Sequence, residues 1–191
     1  TGEIVNWINS DDYLEPRALK TIEKAFSDPS INVFVGRSNI IREGKVLRQS
    51  KGTDVYLGNL AKTIGQARID QPEHWWRKSV IDEIGPLNEA LHYTMDRDWW
   101  VKYLLRYGLQ GIKKEDTVLA NFRLHGDSKT VSQSENFNQE RNSYYRSLAL
   151  HYGFDDHANQ LPKLTGARNV QMPNVPDQMD LDTRTHPFSY L

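Results

Sequence analysis

The chain contains no cysteine, so disulfide bridges and thiolate metal sites are excluded. A cysteine-free chain also fits the cytoplasm, or the inner face of its membrane. No apolar run approaches the roughly 20 residues needed to span a bilayer. No signal peptide precedes the first strand-like segment. Lys and Arg (24) nearly balance Asp and Glu (25) and form no basic block, so nothing points to nucleic acid. Low-complexity stretches, repeats and clear linkers are also missing. Hydrophobic residues make up 38% of the 191, enough for a folded domain with a real core. The first residue is Thr1, and the chain runs almost at once into a β-like segment. It reads as a piece of a longer protein.

Strand and helix signals alternate early. Ile4 to Ile8 reads as a short apolar strand running into the polar loop Asn9–Ser10–Asp11–Asp12. A helix follows from Glu15–Pro16, with Leu19, Ile22 and Phe26 at helical spacing, stopped by Asp28–Pro29. Ile31 to Ile41 reads as a long strand, Glu43–Gly44 as a turn, and Lys45 to Gln49 as the return strand. Tyr56 to Ile64 reads as a short helix ended by Gly65, Gln66 to Trp76 as extended, and Arg77 to Ile84 as a helix closed by Gly85–Pro86. The clearest helix is Met95 to Tyr107, capped by Gly108. Gly111 to Leu124 alternates like a strand, and Gln133 to Tyr152 is a second long helix. From Gly166 on, Pro and Asn recur without period, as in a tail that lies over the surface or is disordered. The division expected is a domain over 1–165 and a tail over 166–191, in an α/β fold with a mixed sheet.

Four segments carry candidate chemistry. Asp11 and Asp12 follow a strand, where open α/β sheets bind ligands. Adjacent carboxylates repel unless a cation joins them, and hard oxygen ligands suit Mg²⁺ or Mn²⁺. Either Asp can equally cap the next helix. Asp96 and Asp98 stand at a helix start, where the helix dipole and capping favour acids. Residues two apart on a helix point roughly 200° from each other, so only one of the two can face a site. His125 enters a polar loop after a strand, as a metal ligand, a phosphate donor or simply a surface residue. Beyond it, Ser128, Lys129 and Thr130 can meet phosphate oxygens or water. Finally, in Trp75–Trp76–Arg77 one tryptophan belongs in the core, and an exposed one would offer a face to a sugar.

The order of these segments is more specific than any one of them. A strand ending in Ser10–Asp11–Asp12 comes first, then a helix, then a strand reaching Val35–Gly36. A Gln71…Trp75–Trp76–Arg77 segment and Gly85–Pro86–Leu87 follow. Asp96–Arg97–Asp98–Trp99–Trp100 and a His125-x-x-Ser128–Lys129–Thr130 loop complete the series. This succession, over roughly Glu3 to Thr130, resembles the family 2 glycosyltransferases of the GT-A fold. The resemblance implies a GT-A-like, Rossmann-like mixed sheet flanked by helices, truncated at its N-terminus because the nucleotide-binding half of the family lies before the metal motif. It implies an inverting transfer of a hexose-type sugar from a nucleotide-sugar donor to a hydroxyl of a glycan or lipid-linked acceptor. Synthesis of bacterial surface polysaccharide is the expected setting.

The resemblance also assigns roles. Asp11 and Asp12 match the acids that hold Mn²⁺ or Mg²⁺ on the donor diphosphate, with His125 in support. Asp96 matches the general base, with Asp98 as fallback and only Asp96 expected to face the cleft. Ser128 and Lys129 would contact donor phosphate, and Trp75, Trp76 and Arg77 would line the acceptor side. Asn9 stands where the family usually has an acid, which weakens one metal or nucleotide contact. This chain alone is expected to transfer no sugar. Membrane association would come through the missing part or the acceptor, and self-association through an exposed sheet edge. A glycoside hydrolase with paired carboxylates, or a non-catalytic carbohydrate-binding domain, are the competing readings.

Overall fold

The longest β-prone run, Val33–Arg42, forms the strand β3 around which a sheet assembles in the computed structural model, which describes residues 2–125, 133–177 and 187–190. Val33, Phe34 and Val35 are completely buried. Three buried residues in a row mark a strand covered on both faces. The other strands are β1 (Ile4–Val5), β2 (Tyr13–Leu14), β4 (Lys45–Gln49), β5 (His74–Arg77) and β6 (Ile112–Arg123). Their order is β1-β5-β3-β6-β2, with β4 on the distal half of β3. Among the described residues only the β3–β6 pair is parallel. The sheet is therefore mixed and the fold α/β, as expected.

The chain divides into two compact units. The first comprises Thr1–Gly58, Ala67–Glu83 and Leu109–Ser128, and contains the whole sheet. Against the sheet packs α1 (Ala18–Phe26), through Ala18, Ile22, Ala25 and Phe26. These meet Phe34, Trp75 and Leu119. Leu19, expected on that stripe, is 61% exposed. It stands one residue past Ala18, about 100° round the helix from the buried face. Gly36 marks the closest approach of β3 to β6. A Cβ there would lie 2.5 Å from Leu119 Cδ1 and 2.9 Å from the Thr117 carbonyl oxygen. The β3–β4 turn is made by Glu43 (φ 51°) and Gly44 (φ 75°), a left-handed pair that matches the twist of a hairpin.

Several elements differ from expectation. The first strand is only two residues long and lies at the sheet edge, because Asn6 turns away to donate from Nδ2 to the His74 carbonyl at 2.7 Å. The strand β2 was not foreseen, since two residues carry no periodicity. The expected alternation over Val118–Phe122 is absent: Leu119, Ala120 and Asn121 are all buried, since β6 is an interior strand. Helix α2 covers Leu60–Gln66, so Gly65 sits inside it and does not end it.

Beneath β3 the first unit encloses a polar cluster. Glu73 is fully buried. The Ser50 hydroxyl donates to Glu73 Oε1 and accepts from the amides of Ser38 (3.0 Å) and Gly52 (3.2 Å). Burial, and then the charge of Asp70, push the Glu73 carboxyl up to about 7. Next to it, burial pushes His74 down to about 3, so its ring is neutral and hydrogen-bonds Thr53 through Nε2. Because the Glu73 pKa is raised on folding, the folded chain holds a proton that the unfolded chain releases. Stability from this group is full below pH 4.5 and falls as pH rises towards 7. Glu73→Gln should flatten that slope and stabilise the fold at pH 8 by up to roughly 3 kcal/mol. Urea unfolding at pH 5 and pH 8 measures it; equal slopes in both proteins would refute a protonated Glu73.

The second unit comprises Asn59–Gln66, Ile84–Gly108 and Lys129–Leu191. It is helical among the described residues: α2, α4 (Met95–Tyr107), α5 (Ser134–His151) and α6 (Asp155–Thr165). The remaining helix, α3 (Lys78–Ile84), follows β5 and ends at the border of the two units. Helix α4 buries Asp98, Trp100, Val101, Lys102, Tyr103 and Leu104, nearly all round its axis, as a central helix must. Helix α6 lies in a stretch to which the sequence assigned no element. Beyond Gly166 the chain lies along α5: the Ser143 and Ser147 hydroxyls accept from the amides of Arg168 (3.1 Å) and Val170 (2.7 Å). Ala167, Val175 and Phe188 are buried. Among the described residues no helix is long and apolar enough to cross a membrane.

Candidate functional site

Two parallel strands, β3 and β6, end side by side, with Leu124 N–H donating to the Ile41 carbonyl at 2.7 Å. The loop Asn9–Asp12 meets that end. It is tied down by β2, which pairs with Ala120 and Asn121 of β6, and by the Glu15 amide on the Leu119 carbonyl at 2.9 Å. Asp11 and Asp12 thus stand beside the C-terminal end of β6, and not at the end of the first strand. The general rule for ligand crevices still holds, applied to a different strand.

The two acids have different surroundings. Asp12 Oδ1 accepts from the Arg123 amide at 2.9 Å and Oδ2 from Asn9 Nδ2 at 3.3 Å. Burial raises its pKa, against the pull of the Arg123 amide. It staples the loop to β6. Asp11 instead lies with Oδ2 2.7 Å from His125 Nε2. That hydrogen bond holds the Asp11 carboxyl below its ordinary value. Both side chains are partly exposed, 38% for Asp11 and 45% for His125. Residues 114 apart in sequence therefore present an oxygen and a nitrogen at one accessible point.

This donor pair fits a Mn²⁺ or Mg²⁺ ion that also binds a diphosphate, which needs only one or two protein ligands. Among the described residues no group of three or more His, Cys, Asp or Glu is placed to hold a metal without such help. At 2.7 Å the pair is hydrogen-bonded, so joint coordination would replace the shared proton. Ser128 and Lys129, the expected phosphate contacts, lie outside the described residues, as does Thr130.

In the second unit, Asp96 lies in the first turn of α4, half-buried, with Oδ1 accepting from the Arg97 amide at 2.8 Å. Asp98 is enclosed: its carboxylate and the Lys102 ammonium are 2.6 Å apart, and both side chains are 0% exposed. Burial raises the Asp98 pKa, while Lys102 and then the Tyr144 hydroxyl pull it down. No substrate hydroxyl reaches a carboxylate so enclosed, so the fallback base is a structural residue.

The expected acceptor residues are corrected too. Trp75 and Trp76 are 8% and 3% exposed. Trp75 packs against α1 in the core, leaving no face for a pyranose. Arg77 donates to the carbonyls of Ile31 (3.0 Å), Asp28 (3.2 Å) and Phe26 (3.3 Å), with its guanidinium 5.3 Å from the Phe26 ring centre. It closes the C-terminal end of α1. Two adjacent buried tryptophans mark a strand covered on both faces, which is a packing role.

One arrangement had no signal in the sequence. The Glu140 carboxylate on α5 accepts from three consecutive amides, His92 (2.8 Å), Tyr93 (2.6 Å) and Thr94 (2.8 Å), and from the Thr94 hydroxyl (3.0 Å). A single Glu on a polar helix gives no hint of a partner 46 residues away.

No protein-family model matches the chain, and no curated protein matches it. Its fold is similar to that of S. aureus TarS, a glycosyltransferase. The 1–349 portion of TarS in complex with UDP-GlcNAc aligns with TM-score 0.55 and 21% identity, over 84% of this chain and 47% of that one. The same portion in complex with UDP gives 0.51 and 20%, over 84% and 45%. A further TarS structure gives 0.52 and 18%, over 84% and 27%. At these identities the likeness is one of fold. The chain spans less than half the length of these structures.

Proposed function

We propose that this chain is the metal- and acceptor-side part of a GT-A glycosyltransferase of the family 2 type. It acts in an inverting transfer of a hexose-type sugar from a nucleotide-sugar donor to a hydroxyl of a glycan or lipid-linked acceptor, in the synthesis of a bacterial surface polysaccharide. The observation that carries the reading is the Asp11–His125 pair at the ends of two parallel strands. The fold likeness to a protein solved with UDP-GlcNAc supports it.

In this reading Asp11 and His125 would hold a Mn²⁺ or Mg²⁺ ion, and Asp12 keeps their loop on β6. A Mn²⁺ or Mg²⁺ ion would offset the charge that develops on the departing diphosphate. Asp96 accepts the proton of the acceptor hydroxyl as its oxygen bonds to the anomeric carbon and the bond to diphosphate breaks. One displacement inverts that carbon and leaves no covalent intermediate on the protein.

The test is calorimetry of the natural protein with a panel of sugar nucleotides, with and without Mn²⁺. Binding should need Mn²⁺ and be lost in Asp11→Ala. For this chain alone, the affinity expected is about millimolar or weaker, near −4 kcal/mol. Metal-independent binding, or binding that survives Asp11→Ala, would sink the assignment of the pair.

A further inference from the structure

Loop residues before a helix leave amides without helical partners, and these ordinarily turn to water or to a local cap. Before α4 three such amides in succession, with the Thr94 hydroxyl, converge on one carboxylate from a different helix, Glu140 of α5. Hydrogen bonds to an ionised acceptor are about twice as strong as neutral ones, and four act here on three residues. The same loop is held a second time: the Tyr93 hydroxyl donates to Gln133 Oε1 at 2.6 Å and accepts from Asn136 Nδ2 at 3.2 Å. The Tyr93 and Phe137 ring centres are 5.0 Å apart. Helix α4 then starts at once, with the Asp98 amide donating to the Thr94 carbonyl at 3.1 Å. Asp96 lies two residues beyond the clamped segment. A local cap at Thr94 would have closed the helix by itself, yet Thr94 makes no side-chain cap bond. Its hydroxyl goes to Glu140 instead.

We propose that Glu140 is a positioning residue: it fixes the loop His92–Thr94 and, through the first turn of α4, sets where the Asp96 carboxylate meets the acceptor hydroxyl. The proposal rests on the reading of Asp96 as the base. It accounts for a carboxylate whose four hydrogen bonds all go to a loop outside its own helix. Its two oxygens are unequally used. Oε1 takes Tyr93 N–H, Thr94 N–H and the Thr94 hydroxyl, while Oε2 takes only His92 N–H.

That asymmetry makes the test specific. In this chain, amide hydrogen exchange is followed by NMR in the wild type, Glu140→Gln and Glu140→Ala. Glu140→Ala should raise the exchange rates of His92, Tyr93 and Thr94 at least tenfold, while amides from Asn142 to Ala149 stay protected and report an intact α5. Glu140→Gln, with its remaining oxygen at the Oε1 position, should free His92 alone. In the natural protein, Glu140→Ala should lower kcat about 100-fold with donor KM unchanged, the cost of a base displaced by about an ångström. Glu140→Gln should restore kcat to within tenfold. Unchanged exchange at 92–94 in Glu140→Ala overturns the clamp. Unchanged kcat in that variant, with kcat lost in Asp96→Asn, overturns the positioning role alone. Full turnover in Asp96→Asn removes the base reading, and the exchange data still decide the clamp.

Discussion

Replacing Asp96 by Asn is expected to lower turnover by roughly 10²–10⁴-fold, the usual contribution of a general base. Donor affinity should not change, because the Asp11–His125 pair belongs to different elements. The isosteric amide can still accept the Arg97 amide bond at 2.8 Å, so the start of α4 should survive. Steady-state kinetics with varied acceptor, together with thermal unfolding of the same variant, separates the two effects. Asp98→Asn supplies the contrast: it should lower stability and leave the turnover of the folded fraction near normal. Turnover lost in Asp98→Asn and kept in Asp96→Asn would place the base on the wrong residue.

Lys102→Met is expected to destabilise the fold by about 3–5 kcal/mol, the cost of leaving a buried charge without its partner. Both groups of the pair are fully enclosed, so water cannot replace the ammonium. The loss should depend on pH, and the sign follows from the Asp98 carboxyl, which burial already raises above its ordinary value. Without Lys102 the folded chain takes up a proton that the unfolded chain has released above pH 3.8. Stability of the variant therefore falls as pH rises, and unfolding at pH 8 should show a larger deficit than at pH 5. The double change Asp98→Leu with Lys102→Met should recover most of the loss, since apolar replacement of a buried pair is often neutral or stabilising. A single variant within 1 kcal/mol of wild type would mean that water reaches the pair.

Legibility from sequence followed how local the determining interactions are. The hairpin return strand Lys45–Gln49 and the helix Met95–Tyr107 with Gly108 appear with the expected bounds, because turn glycines and helical spacing act over a few residues. Short strands such as Tyr13–Leu14 exist only through a partner, here Ala120 and Asn121, and left no trace. The pairing of Asp11 with His125 came from motif order, not from either segment. The tryptophan pair was misplaced because two apolar neighbours on a strand suggest opposite faces, one of them wet, whereas both faces of β5 are covered: Trp75 packs with α1 and Trp76 is also buried. Glu140 was invisible for a similar reason: its role depends on a loop brought to it by the folded chain.

The parallel pairing of β3 with β6 has a consequence for how the chain is made. Val33 pairs with Ile112 and Ile41 with Arg123, so about 80 residues must be synthesised between the partners. Until then Phe34 and Leu119, both fully buried in the finished sheet, cannot meet. Loop closure over that distance is entropically costly and, with pairings so far apart, slow. A nascent chain on the ribosome therefore carries the Val33–Ile41 edge without its β6 partner while about 80 further residues are made, an aggregation hazard. Expression at low temperature or with chaperones should raise the soluble yield.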